Sequence, residues 1–416
     1  MKLLVIGGGW AGLAAAVRAV QHGAEVTLWE MAAQAGGRAR SWQADGLWLD
    51  SGQHILIGAY RDTLELMREV GADPEALLQR LPLTLVDAQG QGLRWGRGGP
   101  LRAALGAVQG HTGWGWHERL GLAAWGAKLA LRGLRCPEDW SVARLCQGLP
   151  ASVREELVEP LCVAALNTRM VEASAQVFLR VLRDALFGGS GGSDLLLPRA
   201  PLQALLPDPA LDWLRARDVN VELGRRAQQL RAMEPGWACD DWQGDAIVLA
   251  TSAQEAQRLA AHAAPDWARW PLRHEAIATV ELLLPGGPRL PAPMVALRGA
   301  PAQFVFDIHG DGRYVAVASA VATELGDGLQ RLAERMEGQV KTQLPSLHEA
   351  RRVNQHADRR ATFACVAGLA RPPQALRPGL AAAGDYVHGP YPATLEGAIR
   401  SGLAAVAHLL GTIGPT

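Results

Sequence analysis

Met1-Lys2-Leu3-Leu4-Val5-Ile6-Gly7-Gly8-Gly9-Trp10-Ala11-Gly12 decides the reading of this chain, together with Glu25-Val26-Thr27-Leu28-Trp29-Glu30 shortly after it. Lys2 to Ile6 is a short apolar run of buried-strand character, and the glycines open an Ala-rich helix from Leu13 to about Gln21. A second strand then ends in an acid, with Glu30 placed 21 residues after Gly9. Strand, Gly-x-Gly-x-x-Gly, helix, strand and acid together form the pattern of a dinucleotide site. Gly7 suits the tight turn, Gly9 lets a pyrophosphate approach the backbone, and Gly12 lets helix and strand pack closely. Around Trp10 and Ala11 the helix N-terminus offers free N–H groups to phosphate oxygens. Glu30 is placed to accept from ribose hydroxyls. An export signal is the competing reading, but three consecutive glycines break its apolar region and no small-residue cleavage site follows. With Met1 directly on the first strand, the fold is expected to begin there.

Composition bounds what surrounds that unit. At 416 residues the chain exceeds one ordinary core, which predicts two domains. Lys and Arg total 41, as do Asp and Glu, so no global field recruits nucleic acid. Lysine occurs only at Lys2, Lys128 and Lys341. Five scattered cysteines (Cys136, Cys146, Cys162, Cys239, Cys365) form no CxxC pair. They argue against a disulfide framework or a zinc site and fit a reducing compartment, so no metal is expected. No apolar run reaches the roughly 18 residues of a membrane span. A soluble or peripheral protein is expected.

Outward from Glu30, Ala35-Gly36-Gly37-Arg38-Ala39-Arg40 is a second Gly-rich turn carrying cations that can fork onto phosphate oxygens. It suits a cofactor longer than a single nucleotide, with solvated surface arginines as the bland alternative. Leu47 to Leu56 alternates like a strand and then turns at Gly52-Gln53-His54, and a helical pattern starts near Thr63. His117 to Leu134 reads as a helix with Lys128, Arg132 and Arg135 on one face and Leu122, Trp125 and Leu129 on another. Trp95, Trp114, Trp116 and Trp125 form either an interfacial belt or ordinary core packing. Arg154 to Leu186 reads as two helices around Asn167, and strands recur at Ala276–Leu284, Phe304–Ile308 and Tyr314–Ser319. Gly379 to Ala383 is an apolar strand followed by Gly384-Asp385. Tyr391-Pro392-Ala393-Thr394-Leu395-Glu396-Gly397 then opens the last helix. Asp385 can accept from a polyol hydroxyl, and the amides near Thr394 and Leu395 can face an electron-rich ring edge.

These separated blocks, Gly7–Gly12 with Glu30, Gly36-Gly37-Arg38, and Gly384-Asp385 with Pro392–Ala398, resemble the amine oxidase/carotenoid desaturase flavoprotein superfamily. Asp50-x-Gly52-Gln53-His54, Glu159–Thr168 and Arg360-Ala361-Thr362-Phe363-Ala364 are similar to the squalene-associated FAD-dependent desaturases, described as hydroxysqualene dehydroxylases of bacterial hopanoid and squalene synthesis. The resemblance covers essentially the whole chain. It implies an α/β fold in which a Rossmann-like FAD-binding domain (1–75, 190–255 and 350–416) carries a discontinuous inserted α+β substrate domain (76–189 and 256–349). FAD is the implied cofactor. Gly7, Gly9, Trp10, Ala11, Gly12 and Gly37 would surround its phosphates, with Glu30 on the adenosine ribose and Arg38 on the pyrophosphate. Ala227 would meet the adenine through its backbone, Gly384 and Asp385 the ribityl chain, and Thr394 and Leu395 the flavin. Ala227 departs from the larger β-branched residue common at that position.

The implied reaction is reductive loss of the allylic hydroxyl of hydroxysqualene, and it needs an acid for the departing water. His54 and Asp50 are the residues expected to supply it, because their turn follows the Gly-rich segment. Gln53, His54, Asn167 and Tyr391 are the expected polar contacts to substrate. One rival is desaturation of a polyene such as phytoene, which uses the same cofactor geometry in reverse. Another is amine oxidation, which often places a lysine beside the flavin; the three lysines here are poorly placed for that. A non-catalytic flavin-binding or isoprenoid-carrier protein is the third. A C30 hydrocarbon resides in bilayers, so a cytoplasmic protein with peripheral contact at the inner face of the cell membrane is expected, through the segment Trp95 to Arg135. The sequence leaves the oligomeric state open.

Overall fold

The computed structural model of the chain describes residues 1–44, 47–94, 106, 113–189, 191–307 and 309–412. Trp95, named above as part of an aromatic belt, lies outside them. The N-terminal unit is built as its residues dictate. β1 (Lys2–Ile6) is buried on both faces, as a central parallel strand must be, and pairs in parallel with β2 (Glu25–Glu30) from Lys2↔Glu25 to Ile6↔Trp29. Between them α1 (Trp10–Gln21) buries nearly all of its first three turns. A hairpin, β3 (Ser41–Ala44) and β4 (Leu47–Asp50), leads through the turn at Gly52 to α2 (Arg61–Glu69).

The next stretch is mainly helical among the described residues: α3 (Trp116–Leu131), α4 (Glu159–Leu166) and α5 (Ala175–Phe187). A single wide turn at Arg154–Val158 precedes α4, and Asn167 closes it in a left-handed conformation at φ 46. This is the two-helix pattern read around Asn167. The chain then returns to the first sheet with β5 (Asn220–Leu223) beside β2 and β6 (Ala246–Leu249) beside β1, both parallel.

A second sheet follows from β7 (His274–Leu283), β8 (Met294–Ala296), β9 (Phe304–Phe306), β10 (Arg313–Ser319) and β11 (Arg351–Phe363), with α6 (Leu329–Gln343) between the last two. Two short strands, Thr84–Val86 and Gly92–Arg94, complete seven. Strict alternation along β7 splits its side chains. Ala278, Val280 and Leu282 pack with Leu332, Met336 and Val340 of α6. Ile277 belongs to a separate core with Phe304, Phe306, Val315 and Val317, which reaches Leu166 of α4 and Phe178 of α5.

Finally β12 (Ala375–Arg377) and β13 (Leu380–Ala382) extend the first sheet to the order β5–β2–β1–β6–β13–β12. The last helix, α7 (Leu395–Thr412), lies against α1. A Cβ on Gly402 would stand 2.1 Å from the carbonyl oxygen of Ala11, so no other residue permits this crossing. One sequence boundary needs correcting. Residues 350–416 were placed wholly with the cofactor, yet β11 pairs with β7 along its length in the second sheet. Its run of Arg, Asn, Gln, His and Asp shows no apolar alternation because β11 is an edge strand.

Candidate functional site

The loop Gly7–Gly12 is a cradle with defined filled and open sides. A Cβ on Gly7, at φ 111, would lie 2.5 Å from the Ala250 carbonyl oxygen, and one on Gly12 would lie 1.8 Å from the Gly7 oxygen. At Gly9 the nearest atom to such a Cβ is Gly37 Cα at 3.8 Å, which leaves that side open. Gly9 caps α1 with no side chain bonded to the first amides, so they are available to an anion. The second Gly-rich turn sits directly on the first: Gly36 N–H donates to the Gly8 oxygen at 2.9 Å, and the two segments bridge at Gly9 and Gly36. The Trp10 side chain has a structural task. Its indole N–H donates to the Ala39 oxygen at 2.9 Å, pinning that second turn, so only its backbone faces the cradle.

Glu30 is buried, and its carboxylate accepts from Gly8 N–H at 2.6 Å and Ala32 N–H at 2.8 Å. Each oxygen keeps a lone pair for a sugar hydroxyl. Ala227 is buried, with its carbonyl taken by Arg258, so a base contact there falls to its amide. Arg38 joins the two ends of the chain. Its Nη2 meets Asp385 Oδ1 at 2.6 Å, and its Nη1 donates to the Ala361 oxygen of β11 at 2.6 Å. The neighbouring Asp385 carboxylate holds the guanidinium even more firmly protonated than usual. Arg371, which sequence reasoning missed, is buried and donates to the carbonyls of Asp385 and Tyr391, fixing the loop between them. Gly384 N–H donates to Ser401 Oγ of α7. At the head of α7, Thr394 Oγ1 accepts from Gly397 N–H, while Leu395 is partly buried. Glu396 is fully buried and accepts from the amides of Asp62 and Thr63, the Thr63 hydroxyl and Arg400, which caps α2. The cradle, Glu30, Arg38, Asp385 and the head of α7 therefore fit an extended dinucleotide.

Beside this cradle lies the inner face of the second sheet. One row crosses it as Met294, Phe306, Val315, Glu281 and Asn354. The next row is Ala296, Phe304, Val317, Thr279 and His356. A third carries Ser319, Ile277 and Asp358. The face is apolar over β8, β9 and β10 and mostly polar over β7 and β11. The turn after β4 lies on the polar half. A Cβ on Gly52 would be 3.9 Å from Thr279 Oγ1, Trp42 meets His356 edge-on with ring centres 5.8 Å apart, and Asp50 is within electrostatic reach of Glu281. Sequence reasoning found the strand but not these polar residues. The available signal was Thr279 and Glu281, two apart in an otherwise apolar stretch and therefore on one face.

The structure keeps His54 and Asp50 in electrostatic reach of each other, while Asp50, Asn167 and Tyr391 each take protein partners. His54 stays at this junction, in electrostatic reach of Asp358 and Arg38. Desolvation lowers its pKa, and Nδ1 lies 3.0 Å from the Gly52 oxygen, to which it donates. With Nδ1 on that carbonyl, the neutral form that burial favours presents Nε2 as an acceptor. Asp50 Oδ1 accepts from the Ser41 hydroxyl at 2.5 Å and Leu202 N–H at 3.2 Å, which ties the hairpin to the following helix. Gln53 is in the same turn and makes only a 3.4 Å contact to the His54 oxygen. Asn167 is a buried clamp, donating to Thr362 Oγ1 at 2.9 Å and accepting from Ala320 N–H at 2.6 Å. Both ends of its amide are occupied within the protein. Tyr391 lies elsewhere, with its hydroxyl between Asp184 and Arg180, on the rim of a cavity of about 540 Å³ along the outer side of α7.

The proposed tryptophan belt is dispersed as well. Trp114 is buried with its indole N–H on Glu156, and Trp125 donates to the Leu145 oxygen. Trp116 is 79% exposed, and Leu129 is the one residue of α3 that is buried. Among the described residues, no helix is long and apolar enough to cross a membrane.

Comparison with known proteins agrees with this geometry. Residues 5–70 match the NAD(P)-binding Rossmann-like domain. Hydroxysqualene dehydroxylases of Rhodopseudomonas palustris and Zymomonas mobilis are each 28% identical to the chain, with 96% of the chain covered and 96% and 97% of their own lengths. The chain is similar to the hydroxysqualene dehydroxylases over nearly its whole length. A probable zeta-carotene desaturase of Synechococcus elongatus is 26% identical across 69% of the chain and 66% of its own length. The fold matches an oxidoreductase from Methanosarcina mazei with a TM-score of 0.74 at 17% identity, covering 98% of this chain and all of that one. The protein is an oxidoreductase whose Rossmann-like domain serves a dinucleotide.

Proposed function

We propose that the protein holds FAD in its cradle and reductively removes the allylic hydroxyl of hydroxysqualene, giving squalene. The observation that carries this reading is the divided inner face of the second sheet. Met294, Phe304, Phe306, Val315 and Val317 offer an apolar wall, and Thr279, Glu281, Asn354 and His356 lie beside it. A hydrocarbon bearing one hydroxyl matches such a surface, since its single polar group needs a partner once buried. Similarity to relatives of that name over 96% of the chain supports it.

Bound FAD would supply hydride to the carbon that loses its hydroxyl. The protein's residues do the rest. The first amides of α1 would hold the phosphates, Glu30 the adenosine ribose, Arg38 the pyrophosphate and Asp385 the ribityl hydroxyls, and the amides at Thr394 and Leu395 would serve the ring. Phe304, Phe306 and Val317 exclude water. Desaturation of a carotenoid is the second reading, favoured by the Synechococcus relative. A pure hydrocarbon would offer nothing to Glu281 Oε2, the oxygen that Asn354 leaves free, which argues for the hydroxylated substrate. Amine oxidation fares worse. Lys2 is on β1, Lys128 on exposed α3, and Lys341 pairs with Glu337 on α6.

Substrate access is assigned to α3. Trp116, Leu120 and Leu131 are largely exposed, and the exposed Lys128, Arg132 and Arg135 lie at the C-terminal end of α3 and just beyond. An interfacial helix on an anionic bilayer has this composition. The protein then works from the cytoplasm on the inner face of the cell membrane, where its five free cysteines stay reduced. The decisive assay incubates purified protein with hydroxysqualene under reducing, anaerobic conditions, records the flavin band, and measures squalene. Squalene formation with phytoene untouched is expected. Conversion of phytoene but not hydroxysqualene would hand the site to desaturation.

A further inference from the structure

We propose that Glu281 is the acid of this site, giving its proton to the substrate hydroxyl so that it leaves as water. The inference rests on the function proposed above and names the residue that the sequence had sought in His54 and Asp50. Glu281 stands where the two halves of the inner face meet. In its row, Val315 and Phe306 lie on one side and Asn354 on the other. A hydrocarbon lying on the apolar half would bring a hydroxyl to this boundary. Immediately after the Glu281–Asn354 pair the register of β7 and β11 slips, a bulge of the kind that re-aims side chains beside active sites.

The carboxyl itself is built for donation. Oε1 accepts from Asn354 Nδ2 at 3.2 Å, while no protein hydrogen bond to Oε2 exists among the described residues. The charged and titratable groups facing it are Arg313 at the start of β10 and Asp50 at the end of β4; Arg352 of β11 is engaged by Glu337 of α6. Burial dominates and raises the Glu281 pKa, with Asp50 adding to the rise and Asn354 and Arg313 opposing it. The other acids nearby are occupied. Asp50 is bonded to Ser41 and Leu202, Asp358 accepts from Arg360 N–H, and Glu275 is 3.6 Å from Arg273. The step balances: the C–O bond breaks, the Glu281 proton and the hydroxyl depart as water, and the carbon receives hydride from the reduced flavin. Glu281, left as carboxylate, is reprotonated from solvent.

The test compares Glu281→Gln and Glu281→Asp with the wild type in the flavin-loaded protein. Glu281→Gln is expected to lower kcat by at least about 100-fold, the usual worth of a positioned acid. Flavin absorbance and squalene binding should be unchanged. Glu281→Asp should recover part of the loss. Wild-type kcat should fall as pH rises through the raised Glu281 pKa, because the active form is the protonated one, and Glu281→Gln should lack that limb. Independently of turnover, an infrared pH series should show a protonated carboxyl band that persists to higher pH than a free glutamate's and that Glu281→Gln removes. If Glu281→Gln keeps the wild-type kcat and pH limb, the assignment to Glu281 falls alone. If it loses flavin or squalene binding together with activity, Glu281 is structural. A wild type that forms no squalene removes the parent function and this proposal together.

Discussion

The cradle at Gly7–Gly12 and the inner face of the second sheet are made in opposite ways. In the cradle, backbone meets backbone, and a carbon added on its filled side collides: 1.8 Å at Gly12 and 2.5 Å at Gly7. On the sheet, function lies in side chains, and the backbone only sets which of them share a row. The cradle is therefore intolerant of size and indifferent to polarity, because it has almost no side chains to change. The inner face should tolerate changes of shape and fail on changes of polarity.

Substitutions at four positions test that contrast, in order of expected effect. Gly12→Val puts a side chain into the Gly7 carbonyl and should cost about 3 kcal/mol or more, with flavin lost; thermal unfolding and the flavin spectrum report both. A soluble, flavin-loaded Gly12→Val protein would break the contrast. Phe306→Ala should cost about 3 kcal/mol, whereas Phe306→Leu should stay within about 1.5 kcal/mol and keep turnover, since its neighbours Met294 and Val315 can close around a similar volume. Arg38→Lys removes the fork that spans Asp385 and Ala361. It should weaken FAD roughly tenfold, about 1.4 kcal/mol, by titration of the apoprotein. Trp116→Ser, on the open side of α3, should leave stability within about 0.5 kcal/mol while reducing binding to anionic vesicles. Unchanged flotation would remove α3 from membrane contact.

The same contrast explains what the sequence disclosed. Gly7–Gly12, Glu30 and Gly36–Arg38 lie within 40 residues, and their chemistry is written in local order. Asp385 and the head of α7 lie far off, but they repeat the same strand, glycine and helix grammar. The inner face has no such grammar. Its first row draws residues 294, 306, 315, 281 and 354 from five strands, and only the antiparallel register puts them side by side. β11 was unreadable alone because an edge strand with a polar inner row lacks the alternation that marks a strand. Asp50 and Asn167 misled for a related reason. A polar residue in a turn can serve a ligand or the backbone, and which it serves depends on partners such as Leu202 and Ala320 that sequence proximity does not reveal.

The close crossing at Gly402 has a consequence for synthesis. The segment carrying Ala11 leaves the ribosome early, yet the helix that covers it is made close to 390 residues later. For most of translation the Ala-rich flank of α1 has no partner, and Arg38 has no Asp385. If the site holds FAD as proposed, its capture waits on that helix, and until then this flank of α1 stays uncovered.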